Sequence, residues 1–327
     1  MLAIILKRLL QGLIILFLMT LVVFLGINQV GDPLSQLVSD QTSAADIERI
    51  RQNLNLDKPI MMQYLLFLKD IMQGHFGNSF ITGESAANMV MSRLPATIDL
   101  TIAALIISVS IGIPVGLIAG LKPHSLFGRT SMALSIVGFS IPMFWFALIA
   151  IMVFAVIFPI FPSGRREGVV EILGYPTCLF SLEGWRSLFL PAVILSINKM
   201  CLLARLTRAS VIEAASSEHV KFAYAKGVSK GKVVRRHILR NVWIPIITVM
   251  GTETANLIAF SVVIETIFLW PGIGSLLINS IYTLDRPVIM TQLMLTTTIF
   301  VLLNLVVDIA YAYLDPRIRD LYRGRHV

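Results

Sequence analysis

The chain has 327 residues, 56% of them apolar or aromatic (Ala, Val, Ile, Leu, Met, Phe, Trp, Tyr, Cys) and only 14% charged, with a net charge of +8 and a mean hydropathy of +0.80. Soluble domains carry roughly 25% charged and under roughly 50% apolar residues, so a soluble enzyme, a disordered chain and a low-complexity chain are excluded. Two cysteines, Cys178 and Cys201, exclude a disulfide framework and a Cys-based metal cluster, and an all-α polytopic membrane protein remains.

A helix needs roughly 20 mostly apolar residues to cross the hydrocarbon core. Six stretches qualify, at about 9–29, 98–121, 132–158, 187–207, 243–268 and 288–314. These are long apolar runs and not the short alternating strands of a membrane barrel. The first follows Lys7-Arg8, is too long for a signal-peptide core, and is followed by Gly31-Asp32-Pro33 in place of a cleavage site, so it is expected to be an uncleaved anchor. With both termini inside, that side receives 17 of the 27 Lys and Arg residues, as the positive-inside rule requires. The expected organisation is therefore an inner N-terminus and first span over 1–29, an external segment over 30–97, a transmembrane core over 98–314, and an inner tail over 315–327. The core includes a second external segment, 159–186, and an inner loop, 208–242.

In the external segment, Ser43 is placed to cap a helix over Ala44–Asn53, and Pro59–Met72 reads as a second, amphipathic helix. The segment 159–186, with Pro159, Pro162, Gly164, Gly174 and Pro176, reads as irregular. Span two carries Gly112, Gly116 and Gly120, a period-four strip that lets membrane helices approach closely. Pro114, Pro142 and Pro191 are positioned to kink spans two, three and four. No internal repeat is visible, so the two-fold symmetry common in transporters calls for a partner chain.

Ionisable groups within membrane spans are costly and usually face the bundle interior or water. Asp99 and Arg205 sit near span ends and are expected to reach the interface. Lys199, Glu253 and Glu265 lie deeper, where a Lys–Glu pair between spans four and five would be either purely structural or part of a polar pathway. Asp308 has the same claim on span six. These groups form no regular relay of acids and histidines, which argues against a proton pump. The phosphate loop of ATPases is absent, because Gly231-Lys232-Val233 lacks both the earlier glycine and the hydroxyl. All five histidines lie outside the spans, and no nucleophile–base pair, metal site or cofactor is implied.

The inner loop 208–242 is the most informative stretch. Helical pattern continues from span four through Val211–Ala215, and a short amphipathic helix covers about Glu218–Ala225. Gly227 then supplies a left-handed helix end, and Ser229 caps a further helix, Lys230–Asn241, that runs into span five. A basic topological anchor needs neither the glycine turn nor the Ala-rich helix, so the loop reads as a docking element.

At this loop the chain resembles the membrane subunits of bacterial ABC importers, with Lys221-Phe222-Ala223 standing at the Glu-Ala-Ala position and Gly227 at the glycine. The runs Ala223 to Gly227 and Arg236 to Asn241 resemble the peptide/nickel branch. So do Gly31-Asp32-Pro33, Leu56-Asp57-Lys58-Pro59, Phe76-Gly77 with Ser79, and Leu94-Pro95-Ala96-Thr97. Later matches are Leu190-Pro191-Ala192, Arg208-Ala209-Ser210, Glu265-Thr266-Ile267-Phe268 with Trp270-Pro271-Gly272, and Asp315-Pro316-Arg317-Ile318-Arg319. The chain thus looks like a B-type permease subunit of a dipeptide/oligopeptide/nickel ABC importer.

The resemblance implies the type I importer permease fold in a bacterial cytoplasmic membrane. It also implies a homologous second permease, two cytoplasmic ATPase subunits and an external substrate-binding protein, with no nucleic acid partner. Short peptides are the expected cargo and a nickel or other metal chelate the alternative. Glu218, Lys221, Phe222, Ala223, Ala225, Lys226 and Gly227 would form the ATPase-coupling loop, and 30–97 would receive the binding protein or cover the path's outer mouth. A membrane-embedded enzyme or respiratory subunit would show a catalytic pair or ligand set inside the spans, and a self-sufficient secondary transporter would show internal duplication.

Overall fold

The computed structural model describes residues 2–30, 43–53 and 55–314. Gly31-Asp32-Pro33 and the tail 315–327, with Asp315-Pro316-Arg317-Ile318-Arg319, lie outside the described residues. Helix α1 covers Leu2–Val30, α2 Ala44–Asn53, α3 Ile60–Met72, α4 Ala86–Leu121, α5 Leu126–Ser140 and α6 Met143–Ile151, the last extended by a π-helical turn over Met152–Ile157. A two-stranded hairpin, β1 (Val170–Ile172) and β2 (Tyr175–Thr177), precedes α7 (Leu182–Ser216), α8 (Glu218–Ala225) and α9 (Lys230–Val233). A π-helical stretch, Val234–Ile238, leads into α10 (Leu239–Ile267), followed by α11 (Ile273–Tyr282) and α12 (Arg286–Leu314). Among the described residues, five helical runs are long and apolar enough to cross a membrane, and α5 with α6 makes a sixth if the bent pair is one span.

The α4–α7 pair is the most extensive helix contact, and the glycine strip explains it. A methyl group added at Gly112 would lie 2.7 Å from the Met200 carbonyl, at Gly116 it would meet the Ala204 carbonyl and lie 2.6 Å from Thr207 Cβ, and at Gly120 it would lie 2.7 Å from Val211 Cβ. The two backbones touch because the side chains between them are missing.

Three of the prolines within spans behave differently. Pro114 and Pro191 sit inside continuous helices, whereas span three turns by 98° between α5 and α6. At the break, Ile141 (φ −83°, ψ 131°) and Pro142 (φ −60°, ψ 134°) are both extended, as expected where proline forces its predecessor out of the helical region.

The segment 159–186 holds more order than its composition suggests. Val170↔Thr177 and Ile172↔Tyr175 pair across a two-residue turn in which Leu173 (φ 53°) and Gly174 (φ 79°) are both left-handed, the backbone that matches hairpin twist. In the first external segment, Ser43 Oγ accepts from the Asp46 amide at 3.2 Å and donates to its carboxylate at 2.7 Å, capping α2. Helix α3 lies alongside α1: the Tyr64 hydroxyl is 3.1 Å from Thr20 Oγ1 and its ring packs on Phe24 and Phe67. Because Thr20 lies well inside the first span, α3 is packed at the depth of that span and does not stand clear of it.

Candidate functional site

The turn after α7 is closed at Ser217. Ser217 is extended (φ −67°, ψ 148°) and its hydroxyl donates to the Ala214 carbonyl at 2.5 Å, ending α7 and turning the chain into α8. Helix α8 buries Val220 and Ala223 in an apolar cluster with Val211 and Ala214 of α7, Val233 of α9, Ile238, and Val242 and Ile246 of α10. Its other face is open, with Phe222 61% and Tyr224 43% exposed. There Lys221 pairs with Glu218 at 2.8 Å and the Lys226 ammonium sits 4.4 Å above the Phe222 ring.

At the far end of α8, the Gly227 amide donates to the Tyr224 carbonyl (2.9 Å) and the Val228 amide to the Ala223 carbonyl (3.2 Å). With Gly227 at φ +76°, this is a Schellman helix end, in which a left-handed residue closes the last turn and reverses the chain. Val228 then packs on the same apolar cluster. Ser229 occupies the N-cap of α9 without a side-chain cap bond. The helix that begins at Lys230 runs continuously to Ile267. Helix α8 is thus a short rod held between the ends of the two long helices α7 and α10.

A second cluster joins two of the motifs read from the sequence. Glu265 of α10 is fully buried and accepts from Thr97 Oγ1 (2.6 Å), Ser261 Oγ (2.9 Å) and the Ser275 amide (3.0 Å). Thr97 Oγ1 in turn accepts from the Ile273 amide (2.9 Å), and the Trp270 indole donates to the Ala96 carbonyl (2.8 Å). The carboxylate and the Thr97 hydroxyl therefore cap the Ser275 and Ile273 amides at the start of α11, and Gly272 is the residue whose missing side chain leaves the carboxylate room. Glu265 ties α4, α10 and α11 together.

Asp99 of α4 meets the segment 159–186. It is fully buried and its carboxylate accepts from Arg166 Nη2 (2.6 Å), Thr177 Oγ1 (2.8 Å) and the Cys178 amide (2.9 Å), which fastens the hairpin segment onto α4. Burial, then the neighbouring Asp99 charge, push the Cys178 thiol up to about 12. The Arg205 guanidinium stacks on Phe139 at 4.7 Å. Arg8 of α1 grips Asp308 of α12 with two nitrogens, at 2.8 and 3.1 Å, so Asp308 is an interhelical contact.

Lys199 of α7 and Glu253 of α10 form a direct ion pair in the span region, with side chains 14% and 18% exposed. They line a cavity of 570 Å³ between α5, α6, α7 and α10. A further long-range contact has no local signal in the sequence. Asp285, just before α12, accepts from Ser79 Oγ (2.5 Å) and the Phe80 amide (3.0 Å), joining segments some two hundred positions apart that no local pattern links.

The sequence matches two family models, the N-terminal domain of binding-protein-dependent transport system membrane components over residues 1–101 and the binding-protein-dependent transport system inner membrane component over residues 112–320. The chain belongs to this family. Among its relatives, the dipeptide transport system permease protein DppB of Alkalihalophilus pseudofirmus is 36% identical over 98% of this chain and all of that protein. The di/tripeptide permease DppB of Pseudomonas aeruginosa is 38% identical over 98% of this chain and 99% of its own length. The glutathione transport system permease protein GsiC of Escherichia coli K12 is 35% identical over 96% of this chain and 98% of its own.

Among solved structures, a chain of the MetNI methionine ABC transporter in an inward-facing crystal form superposes with a TM-score of 0.56 at 17% identity, over 69% of this chain and 96% of that one. This chain has the type I importer permease fold and is the non-catalytic, multi-pass inner-membrane permease subunit of an ABC importer. Membership in the family implies ATPase and substrate-binding-protein partners and a second permease.

Proposed function

We propose that this permease carries short peptides and that α8 is the handle by which its ATPases work it. The full-length similarity to dipeptide, di/tripeptide and glutathione permeases supports the cargo. The observation that supports the handle is the construction of α8: one face is sunk in the cluster that joins α7 to α10, and the other presents Phe222 and Tyr224 in the open. Exposed aromatics on a short, rigidly held helix suit insertion into a protein cleft, where aromatic anchors dominate binding.

In this reading the α8 end of the bundle and both chain termini are cytoplasmic, which puts the basic residues of 208–242 on the inner side. Two ATPase subunits serve this chain and one homologous second permease. Closure of the ATPases on nucleotide shifts the equilibrium between outward- and inward-open bundles, and α7 and α10 transmit the movement because α8 is braced against both. The test is reconstitution of the complex with its own binding protein in liposomes. ATP-dependent uptake of labelled di- and tripeptides supports the reading, and a complex that hydrolyses ATP in response to its loaded binding protein but takes up no peptide contradicts it.

A further inference from the structure

The ion pair inside the spans differs from the other buried charges. Asp99 and Glu265 each accept three or more hydrogen bonds from fixed donors. The Lys199 ammonium, with three donors to offer, meets the Glu253 carboxylate and, at 5.6 Å, the face of the Phe260 ring. Glu253 takes a further contact from Asn256 at 3.3 Å.

Both residues stand near the middle of their long helices and open onto the 570 Å³ cavity, a volume inside the roughly 300–1,000 Å³ range of small-molecule sites. The cavity lies at the 98° break in span three, with Phe139 before the break and Met143 and Phe144 after it. Interrupted helices at mid-membrane are where transport sites form, because freed backbone and polar side chains are tolerated there only around a cavity.

We propose that Lys199 and Glu253 are the permease's contacts for the two charged ends of a short peptide, a reading that rests on the peptide assignment above. The substrate carboxylate takes the Lys199 ammonium while the substrate ammonium takes the Glu253 carboxylate, so one ion pair is exchanged for two. The net charge of the cavity is zero before and after the exchange, and at no stage does a lone charge stand in the low-dielectric span, where it would be most costly. The phenylalanine and methionine walls accept side chains of varied shape, which suits a cargo defined by its termini. The chemical class is a zwitterion with both ends free.

The test uses the complete reconstituted importer with its own binding protein and labelled alanyl-alanine. Lys199→Met, Glu253→Gln and the double variant Lys199→Met/Glu253→Leu are compared with wild type for assembly, binding-protein-stimulated ATP hydrolysis, and peptide moved per ATP. The double variant guards against misfolding, because replacing both partners of a buried pair by apolar groups is commonly tolerated where removing one is not. The expected result is a double variant that assembles and is stimulated but moves at least tenfold less dipeptide per ATP, with the same loss per assembled complex in the single variants. A double variant that transports like wild type shows that the charges merely neutralise each other and overturns this proposal alone. A wild-type complex that moves no dipeptide overturns the peptide reading and this proposal with it.

Discussion

Gly227 offers the sharpest perturbation of the coupling account. Its φ of +76° lies in the left-handed region, and a Cβ added there would meet no atom within 4 Å. Substitution therefore acts through backbone preference alone. A left-handed conformation costs an ordinary L-residue roughly 1–2 kcal/mol, with a β-branched residue at the unfavourable end, whereas asparagine tolerates it. An energy of that size shifts an equilibrium by a factor of roughly 5–30.

In Gly227→Val the equilibrium for the two bonds that close α8, to the Tyr224 and Ala223 carbonyls, moves by that factor toward the open form. The long helices α7 and α10 are untouched. The expected outcome is a complex that inserts and assembles but loses most of its transport per ATP hydrolysed, with Gly227→Asn close to wild type. The assay is paired measurement of peptide uptake and phosphate release in proteoliposomes. Wild-type coupling in Gly227→Val, or equal damage from Gly227→Asn, refutes the reasoning, because either result removes the left-handed turn as the cause.

Other expectations follow from the same geometry. Glu265→Ala leaves the Thr97 hydroxyl and the Ser275 amide without their acceptor, at about 1–3 kcal/mol for each buried group. The melting temperature of the purified chain should fall by several degrees, and by less in Glu265→Gln, which keeps an acceptor oxygen; an unchanged Glu265→Ala melt contradicts the role assigned to this carboxylate. Gly116→Leu drives a side chain into the Ala204 carbonyl and Thr207, an overpacking worth about 1–3 kcal/mol, so thermal denaturation should show clear destabilisation, and a wild-type profile removes the close α4–α7 approach. In a Cys201→Ala background, Cys178 is fully buried with its thiol raised to about 12, so maleimide should leave it unlabelled at neutral pH and label it once Asp99→Ala frees the hairpin; rapid labelling of the native protein contradicts the latch.

Much of this architecture is legible in the sequence because it rests on local signals. The apolar runs announce the spans, Ser43 announces the start of α2, and the Ala-rich stretch ending in Gly227 announces α8 and its left-handed end. Pro142 is readable as a kink but not as a 98° break, since the same residue type at Pro114 and Pro191 leaves its helix continuous. The hairpin was hidden because its turn places Leu173, a residue with no preference for positive φ, beside Gly174.

The buried carboxylates were hidden for another reason. Asp99 meets Arg166, Glu265 meets Thr97 and Ser79 meets Asp285 across long separations, and nothing local distinguishes a carboxylate with distant donors from one at a span end. The Thr97–Glu265 and Trp270–Ala96 bonds make the short motifs at 94–97 and 265–272 two halves of one hydrogen-bonded joint.

The central claim is that α8 is where the motor grips the membrane subunit. Its most direct test is a photo-crosslinking amino acid in place of Phe222, which is 61% exposed on the open face of the helix, irradiated in membranes that contain the whole importer. The account predicts a crosslink to the ATPase subunit whose yield changes with bound nucleotide. A crosslink to lipid alone, in a complex that still transports, would contradict it.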